Sequence, residues 1–337
     1  MTETVNVLIT VPFEDALIAQ LHERYPNLNI TVHPSTAGEE APAEIWAEAE
    51  VIYTFRELPQ EDLAPKLRWI QFHAAGVDRH IEHPLLSREN LQITTLSGGN
   101  APQVAEHALA LMLALGHNLP AILADQSRNK WSASRSERFQ PGELINSTVG
   151  IVGFGSVGRH LARLLKSFNV KVLASKRDLS QLEFRGYPQE SETDENLAHR
   201  LYPGKALRTL FKDCDFVVIT LPLTEETRGI IGAKQLNALK PTAYLVDVSR
   251  GGILDHEALI EALNDEKLAG AALDVFPQEP LPADSPLWAL PNVIVSPHVA
   301  GFSPHYQKRA MALFIENMER YLADEELLNK VDLSRGY

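Results

Sequence analysis

The chain has 337 residues, 45% of them hydrophobic and 22% charged, with a formal net charge of −13 at pH 7. That length exceeds one ordinary core and leads to two domains, and the acidic balance, with no long Lys/Arg block, excludes nucleic acid and anionic membrane surfaces as partners. A single cysteine, Cys214, excludes an intrachain disulfide and a thiolate metal site, and no apolar run approaches the roughly 18–20 residues that span a bilayer.

The opening MTETVNVLIT has neither the basic nor the apolar region of a signal peptide, so a cytoplasmic location is expected. Short β-branched runs then recur between helical patterns. A first group is VNVLIT (5–10), LNITVH (28–33), VIYTF (51–55), WIQFHAAG (69–76) and LQITTL (91–96). A long apolar helix, APQVAEHALALMLALGHNL (101–119), leads to a second group. This comprises TVGIVGF (148–154), VKVLAS (170–175), FVVIT (216–220), AYLVDVS (243–249), AALDVF (271–276) and NVIVSP (292–297). Amphipathic stretches such as EDALIAQLHERY, VGRHLARLLKSF and HEALIEALNDEK lie between the runs. Apolar strands alternating with helices argue for an α/β chain with two parallel sheets, each covered on both faces. The last helical stretch, YQKRAMALFIENMERYLADEELL (306–328), can return to the first domain and make it discontinuous. The polar segment 179–209, which contains ESETDEN, reads as an exposed excursion rather than a core element.

Residues 150–158 read GIVGFGSVG, so Gly153-x-Gly155-x-x-Gly158 follows a strand and opens a helix. Gly153 permits the tight turn, Gly155 lets backbone approach a pyrophosphate, and Gly158 lets the helix pack on the strand. The helix N-terminus offers N–H donors and a positive dipole to the phosphates. A dinucleotide site of this kind places an acidic residue about 20 residues further on, to accept hydrogen bonds from the ribose. Here VLASKRD (172–178) puts Lys176 and Arg177 at that place, preceded by Ser175. A lysine cannot accept a hydrogen bond, whereas the two cations and a hydroxyl donor suit a 2′-phosphate. NADP(H) is therefore expected in preference to NAD(H), with NAD(H) still possible. The alternatives are that both cations are solvated, or that Asp178 is the acidic residue after a slip of register.

The later strands of the second group end in polar residues: Arg250 after AYLVDVS, Asp274 and Glu279 around AALDVF, and His298 after NVIVSP. Ligands of open parallel sheets bind outside the carboxyl ends of the strands, so these side chains converge on the edge that carries the Gly-rich turn. A histidine exchanges a proton with a hydroxyl or carbonyl near neutral pH. A neighbouring carboxylate fixes its tautomer, and an arginine grips a carboxylate bidentately. With a nicotinamide nearby, this set performs hydride transfer between a 2-hydroxy acid and a 2-oxo acid. Arg250 as a structural ion pair, Glu279 as a solvated acid, His298 as a satisfied strand-end histidine and Asp274 as a backbone cap are the competing readings. His107 is read as packing, His73 as a residue able to approach substrate, and Trp131 and Trp288 as candidate pocket walls. No His/Asp/Glu spacing argues for a metal, and there is no G-x-S-x-G elbow.

The motifs TVGIVGFGSVG, LPLTEETRGIIG, LVDVSRGGILDHEAL, LAGAALDVFPQEPLP and NVIVSPHVAG together resemble the D-isomer-specific 2-hydroxyacid dehydrogenases. The resemblance implies a flavodoxin-like substrate domain from residues 1–98 and 302–337. A Rossmann domain over 99–301 would be inserted in it, and the helix 101–119 with the segment after it would serve as the arm of a homodimer. Implied roles are Arg250 as substrate anchor, His298 as acid/base, Glu279 as its partner, and the Ala75-Gly76-Val77 backbone as a carboxylate cradle. Implied cofactor contacts, besides the glycines, Ser175, Lys176 and Arg177, are Ser156, Val157, Leu221, Pro222, Val248, Ser249, Asp274 and Gly301. Lys176 in place of the acidic residue is similar to NADPH-dependent glyoxylate/hydroxypyruvate reductases. Formate dehydrogenases of the superfamily carry Gln where this chain has Glu279, which argues against formate. A phosphoglycerate dehydrogenase-like enzyme and a nucleotide-sensing corepressor of the same fold are the other readings.

Overall fold

A computed structural model describes residues 4–34, 41–180, 187 and 193–336. These divide into two compact units. One holds the described residues up to Asn100, Tyr187 and everything from Ser303 onward; the other holds the remainder, from Ala101 to Phe302.

The first unit is a five-stranded sheet of β1 (Asn6–Ile9), β2 (Asn29–Val32), β3 (Val51–Thr54), β4 (Trp69–Phe72) and β5 (Gln92–Thr94). Its order is β2-β1-β3-β4-β5 with every pair parallel, the flavodoxin-like order. β3 and β4 lie at or beside the centre and are buried at every position, as a strand covered on both faces must be. One face is covered by a cluster that includes Leu17, Leu21, Phe314 and Met318, and the other by Trp46, Leu85 and Leu86. Each such fully buried Leu or Phe side chain contributes about 1.5–3 kcal/mol. The C-terminal helix Tyr306–Leu322 supplies Ala310, Met311, Leu313, Phe314 and Met318 to this core, at the spacing that puts them on one side of a helix.

The second unit is a seven-stranded parallel sheet. Its strands are β6 (Thr148–Val152), β7 (Lys171–Lys176), β8 (Arg200–Pro203), β9 (Phe216–Ile219), β10 (Tyr244–Asp247), β11 (Gly270–Leu273) and β12 (Val293–Val295). The order is β12-β11-β10-β9-β6-β7-β8. Strand order reverses between β6 and β9, which makes the end of β6 the topological switch point where ligands of doubly wound sheets sit. Two apolar clusters cover the faces, one around Leu210, Phe211 and Leu245, the other around Ala105, Met112 and Leu161.

Two expectations are corrected here. The segment 179–209 is not simply an exposed excursion. Residues 181–186 and 188–192 lie outside the described residues, but the remainder contains the helix Asp194–Leu197 and the edge strand β8, with Asp194, Leu197, Ala198 and Tyr202 buried. β8 is the third strand of the β6-β7-β8 half, and a mononucleotide-binding half needs three. The long helix also breaks earlier than expected. It runs from Ala101 to Gly116, and a second helix, Leu119–Ser127, leaves at 68°. Asn118 between them takes a left-handed φ of 56°, a conformation that asparagine tolerates better than most residues. Among the described residues, no single helix is long and apolar enough to cross a membrane.

Candidate active site

The Gly-rich turn follows β6. Gly153 has φ +99°, and a Cβ there would lie 3.0 Å from the carbonyl of Thr220 and from Leu221. A Cβ on Gly158 would lie 2.5 Å from the Gly153 oxygen and 2.9 Å from Ile151, so the helix Ser156–Leu165 reaches its strand only because that side chain is missing. Gly155 differs, because a Cβ there meets nothing within 4 Å. It borders open space beside a ten-residue helix whose first N–H groups have no intrahelical acceptor, and this cradle fits the pyrophosphate of a dinucleotide. Thr220 pins the turn by donating to the Gly153 oxygen at 2.6 Å.

Ser175 does not point outward with the cations that follow it. It is 2% exposed and its Oγ accepts from the Gly153 N–H at 3.3 Å. Burial and this bond hold the Ser175 hydroxyl inside the protein, where it supports the Gly-rich turn. Lys176 is partly exposed, and its ammonium pairs with Asp194. Asp194 is fully buried and also receives the fully buried guanidinium of Arg159. Arg177 pairs with Glu226 at 2.8 Å. Asp178 accepts from Ser180 N (2.9 Å) and Oγ (2.6 Å), a local turn that engages its carboxylate.

Arg250, Glu279 and His298 follow the carboxyl ends of β10, β11 and β12. His298 Nδ1 lies 2.8 Å from Glu279 Oε2, and Glu279 Oε1 accepts from the Phe276 N–H at 3.0 Å. The carboxylate is thus fixed before it meets the ring. The imidazole is 40% exposed and the carboxylate side chain 30%. His298 has φ +52°, a left-handed conformation that costs a non-glycine residue about 1–2 kcal/mol. Asp274 compensates for this. It is 1% exposed and accepts from Ser296 Oγ, Val299 N (2.9 Å) and Ala300 N (3.0 Å), clamping the chain on both sides of the histidine. Asp274 is therefore a backbone clamp, and its carboxylate is turned into the protein rather than toward a cofactor. His107, read as packing, joins the same network through Ser296 Oγ at 3.1 Å.

Arg250 follows β10, with Nη1 donating to the Ser249 carbonyl at 2.8 Å. A Cβ on its neighbour Gly251 would lie 1.9 Å from the Phe276 oxygen, so the Arg250 loop rests directly on the turn that carries Glu279. Ser249 is 4% exposed; its N–H and Oγ both donate to Asp247 Oδ1. Val248 is buried, while Leu221, Pro222, Ser156, Val157 and Gly301 are half-buried. Asp247 is a residue that sequence reasoning passed over. Burial pushes its carboxyl up to about 7, Asp274 adds to that, and its Oδ2 has no hydrogen-bond partner among the described residues. A carboxyl that protonates near neutrality can occupy such a site without a counter-ion. The signal was a carboxylate inside an otherwise apolar strand, LVDVS.

In the other unit, the Ala75-Gly76-Val77 turn follows β4. His73, just before it, is fixed by Tyr53 OH on Nδ1 (2.7 Å), by its own N–H to the Thr54 oxygen (2.6 Å) and by Tyr306 OH on its carbonyl (3.1 Å). Burial lowers its pKa to about 4, so the ring is neutral at physiological pH. Of the two candidate wall residues, Trp131 is 85% exposed, and Trp288 is 52% exposed with Nε1 donating to the Pro282 oxygen at 2.9 Å. Among the described residues, no group of three or more His, Cys, Asp or Glu is placed to hold a metal ion.

Comparison with known proteins places the whole chain. The family model described as D-isomer specific 2-hydroxyacid dehydrogenase, NAD binding domain, matches residues 109–300. Glyoxylate/hydroxypyruvate reductase B of Escherichia fergusonii is 31% identical over 318 residues, 93% of this chain and 93% of that protein. D-3-phosphoglycerate dehydrogenase of Synechocystis is 35% identical over 242 residues, 72% of this chain but 40% of that protein. Among solved structures, a D-isomer specific 2-hydroxyacid dehydrogenase from Xanthobacter autotrophicus in complex with NADPH and MES superimposes with a TM-score of 0.81 and 28% identity. That match covers 99% of this chain and 100% of that one.

Proposed function

The chain belongs to the D-isomer specific 2-hydroxyacid dehydrogenases, nicotinamide-dependent oxidoreductases, and within that family we propose that it reduces a small 2-oxo acid to the D-2-hydroxy acid, preferring NADPH to NADH. Glyoxylate, hydroxypyruvate and related 2-ketoacids are the substrate class. The observation that carries this reading is the Glu279–His298 pair, fixed at 2.8 Å on the sheet that bears the Gly-rich cradle. A carboxylate on Nδ1 assigns the proton there and leaves Nε2 to exchange a proton with substrate. His298, protonated on Nε2, gives that proton to the carbonyl oxygen as it becomes a hydroxyl, and the Glu279 carboxylate stabilises the imidazolium. Arg250 holds the substrate carboxylate bidentately. The Ala75-Gly76-Val77 turn offers backbone N–H groups suited to the same kind of anion. The Gly153–Gly158 turn, with Ser156 and Val157, holds the cofactor pyrophosphate, and the bound nicotinamide supplies the hydride.

The NADPH preference rests on Lys176 and Arg177 standing where an acidic residue is usual, and on the NADPH bound to the structure from Xanthobacter. A homodimer formed through the arm after Gly116 is favoured by the exposure of Leu119, Ile122, Leu123 and Trp131 there. The cofactor assignment is tested by kcat/KM for NADPH and NADH with glyoxylate and hydroxypyruvate. We expect NADPH to be favoured by about tenfold, the worth of one charge-assisted contact. Equal or reversed values would return the Lys176–Arg177 pair to ordinary surface.

A further inference from the structure

The two cations after β7 are held very differently. Lys176 is paired with Asp194, which is fully buried and shared with the buried Arg159. The Asp194 carboxylate is buried and shared with a second cation, so this pair is screened little by solvent and exchanges less readily than an exposed one. Arg177 is paired with Glu226 at 2.8 Å, and the side chains are 39% and 75% exposed. A pair this exposed is weak and readily exchanged.

Its position gives that exchange a consequence. Arg177 is the first residue after β7, and Glu226 lies in the loop after β9; β6 runs between those two strands. The ion pair therefore spans the end of β6, across the edge where the Gly-rich turn opens. Glu226 is also not on a loose loop. Thr227 Oγ1 donates to the Pro222 oxygen at 2.7 Å and accepts from Thr224 N at 2.8 Å, while Arg228 N donates to the Thr224 oxygen at 2.9 Å. The turn fixes the backbone from which the Glu226 carboxylate reaches Arg177.

We propose that Glu226 is a specificity-determining residue: it competes with a 2′-phosphate for Arg177 and so sets how strongly NADP(H) is favoured over NAD(H). The inference rests on the reading of Lys176 and Arg177 as the adenosine-side cations. A phosphate offers Arg177 a bidentate, doubly charged partner in place of one carboxylate. The Glu226 carboxylate opposes the incoming phosphate both by occupying Arg177 and by like-charge repulsion. A ribose with a free 2′-hydroxyl has no reason to displace it, so Glu226 weakens the binding of one cofactor class and spares the other.

The test is calorimetric titration of the full chain with adenosine 2′,5′-bisphosphate and with 5′-AMP, in the wild type, Glu226→Gln and Glu225→Gln. Glu225 is an exposed acid one residue away whose nearest cation is Arg228 at 3.8 Å, so its variant carries the same change of net charge without touching Arg177. Glu226→Gln should tighten the bisphosphate about three- to tenfold and leave 5′-AMP within about twofold; Glu225→Gln should do neither. If the wild type prefers the bisphosphate and Glu226→Gln leaves its Kd unchanged, or if Glu225→Gln has the same effect, competition by Glu226 is overturned. If the wild type shows no preference but Glu226→Gln creates one, the competition stands and the NADPH preference proposed above falls. If neither protein distinguishes the two nucleotides, both fall.

Discussion

His298→Ala lowers kcat for 2-oxo acid reduction by about 10²–10⁴-fold, the usual contribution of a positioned acid/base, and leaves the Kd of the nicotinamide cofactor within about twofold. The expectation follows from what the side chain touches. Its ring nitrogen lies on Glu279 and its neighbours Val299 and Ala300 are held by Asp274, so truncation removes the proton donor while the loop stays clamped. The left-handed φ at this position is a cost the folded chain carries for aiming the imidazole. Alanine suffers the same backbone strain, so any loss of stability should be small compared with the loss of rate. Steady-state kinetics beside a fluorescence titration of NADPH separates the two. Wild-type kcat in the variant would remove His298 from the chemistry.

Arg250→Ala raises KM for the 2-oxo acid and lowers kcat/KM by about 10–10²-fold, the worth of one to two charge-assisted hydrogen bonds to a carboxylate. Arg250→Lys recovers only part of this, since an ammonium cannot reproduce the guanidinium fork. Gly251 seats the arginine loop directly on Phe276, so replacing the Arg250 side chain leaves the backbone path unchanged. The readout is the KM-against-kcat split with glyoxylate and hydroxypyruvate. A variant whose KM is unchanged would mean that Arg250 anchors protein rather than substrate.

How far the sequence could be read depended on which physical signal each residue leaves. Strand runs buried on both faces announce themselves by apolar continuity, and eleven of the twelve strands among the described residues fall on the expected runs. β8 escaped because RLYP is four residues long, sits at a sheet edge and follows the acidic stretch ESETDEN. Arg250, Glu279 and His298 were legible because a polar residue just past a buried strand has no core role to fill. The interior polar network was not legible. Asp194, Arg159 and Lys176 each look like solvated surface in one dimension, and only their mutual pairing accounts for their burial. Asp274 offered two readings, and hydrogen bonds to Val299 and Ala300 decide for the clamp. Ser175 reads as a ligand contact because it adjoins two cations, whereas in the fold it is buried and its Oγ accepts from the Gly153 N–H.

Reduction at C2 of a 2-oxo acid to the D-2-hydroxy acid is read most directly from the configuration of the product. Purified enzyme, NADPH and hydroxypyruvate are incubated, and the glycerate formed is resolved on a chiral column. The expected result is stoichiometric oxidation of NADPH with D-glycerate as product. L-glycerate, or no turnover with hydroxypyruvate, glyoxylate or 3-phosphohydroxypyruvate while NADPH binds tightly, would contradict it.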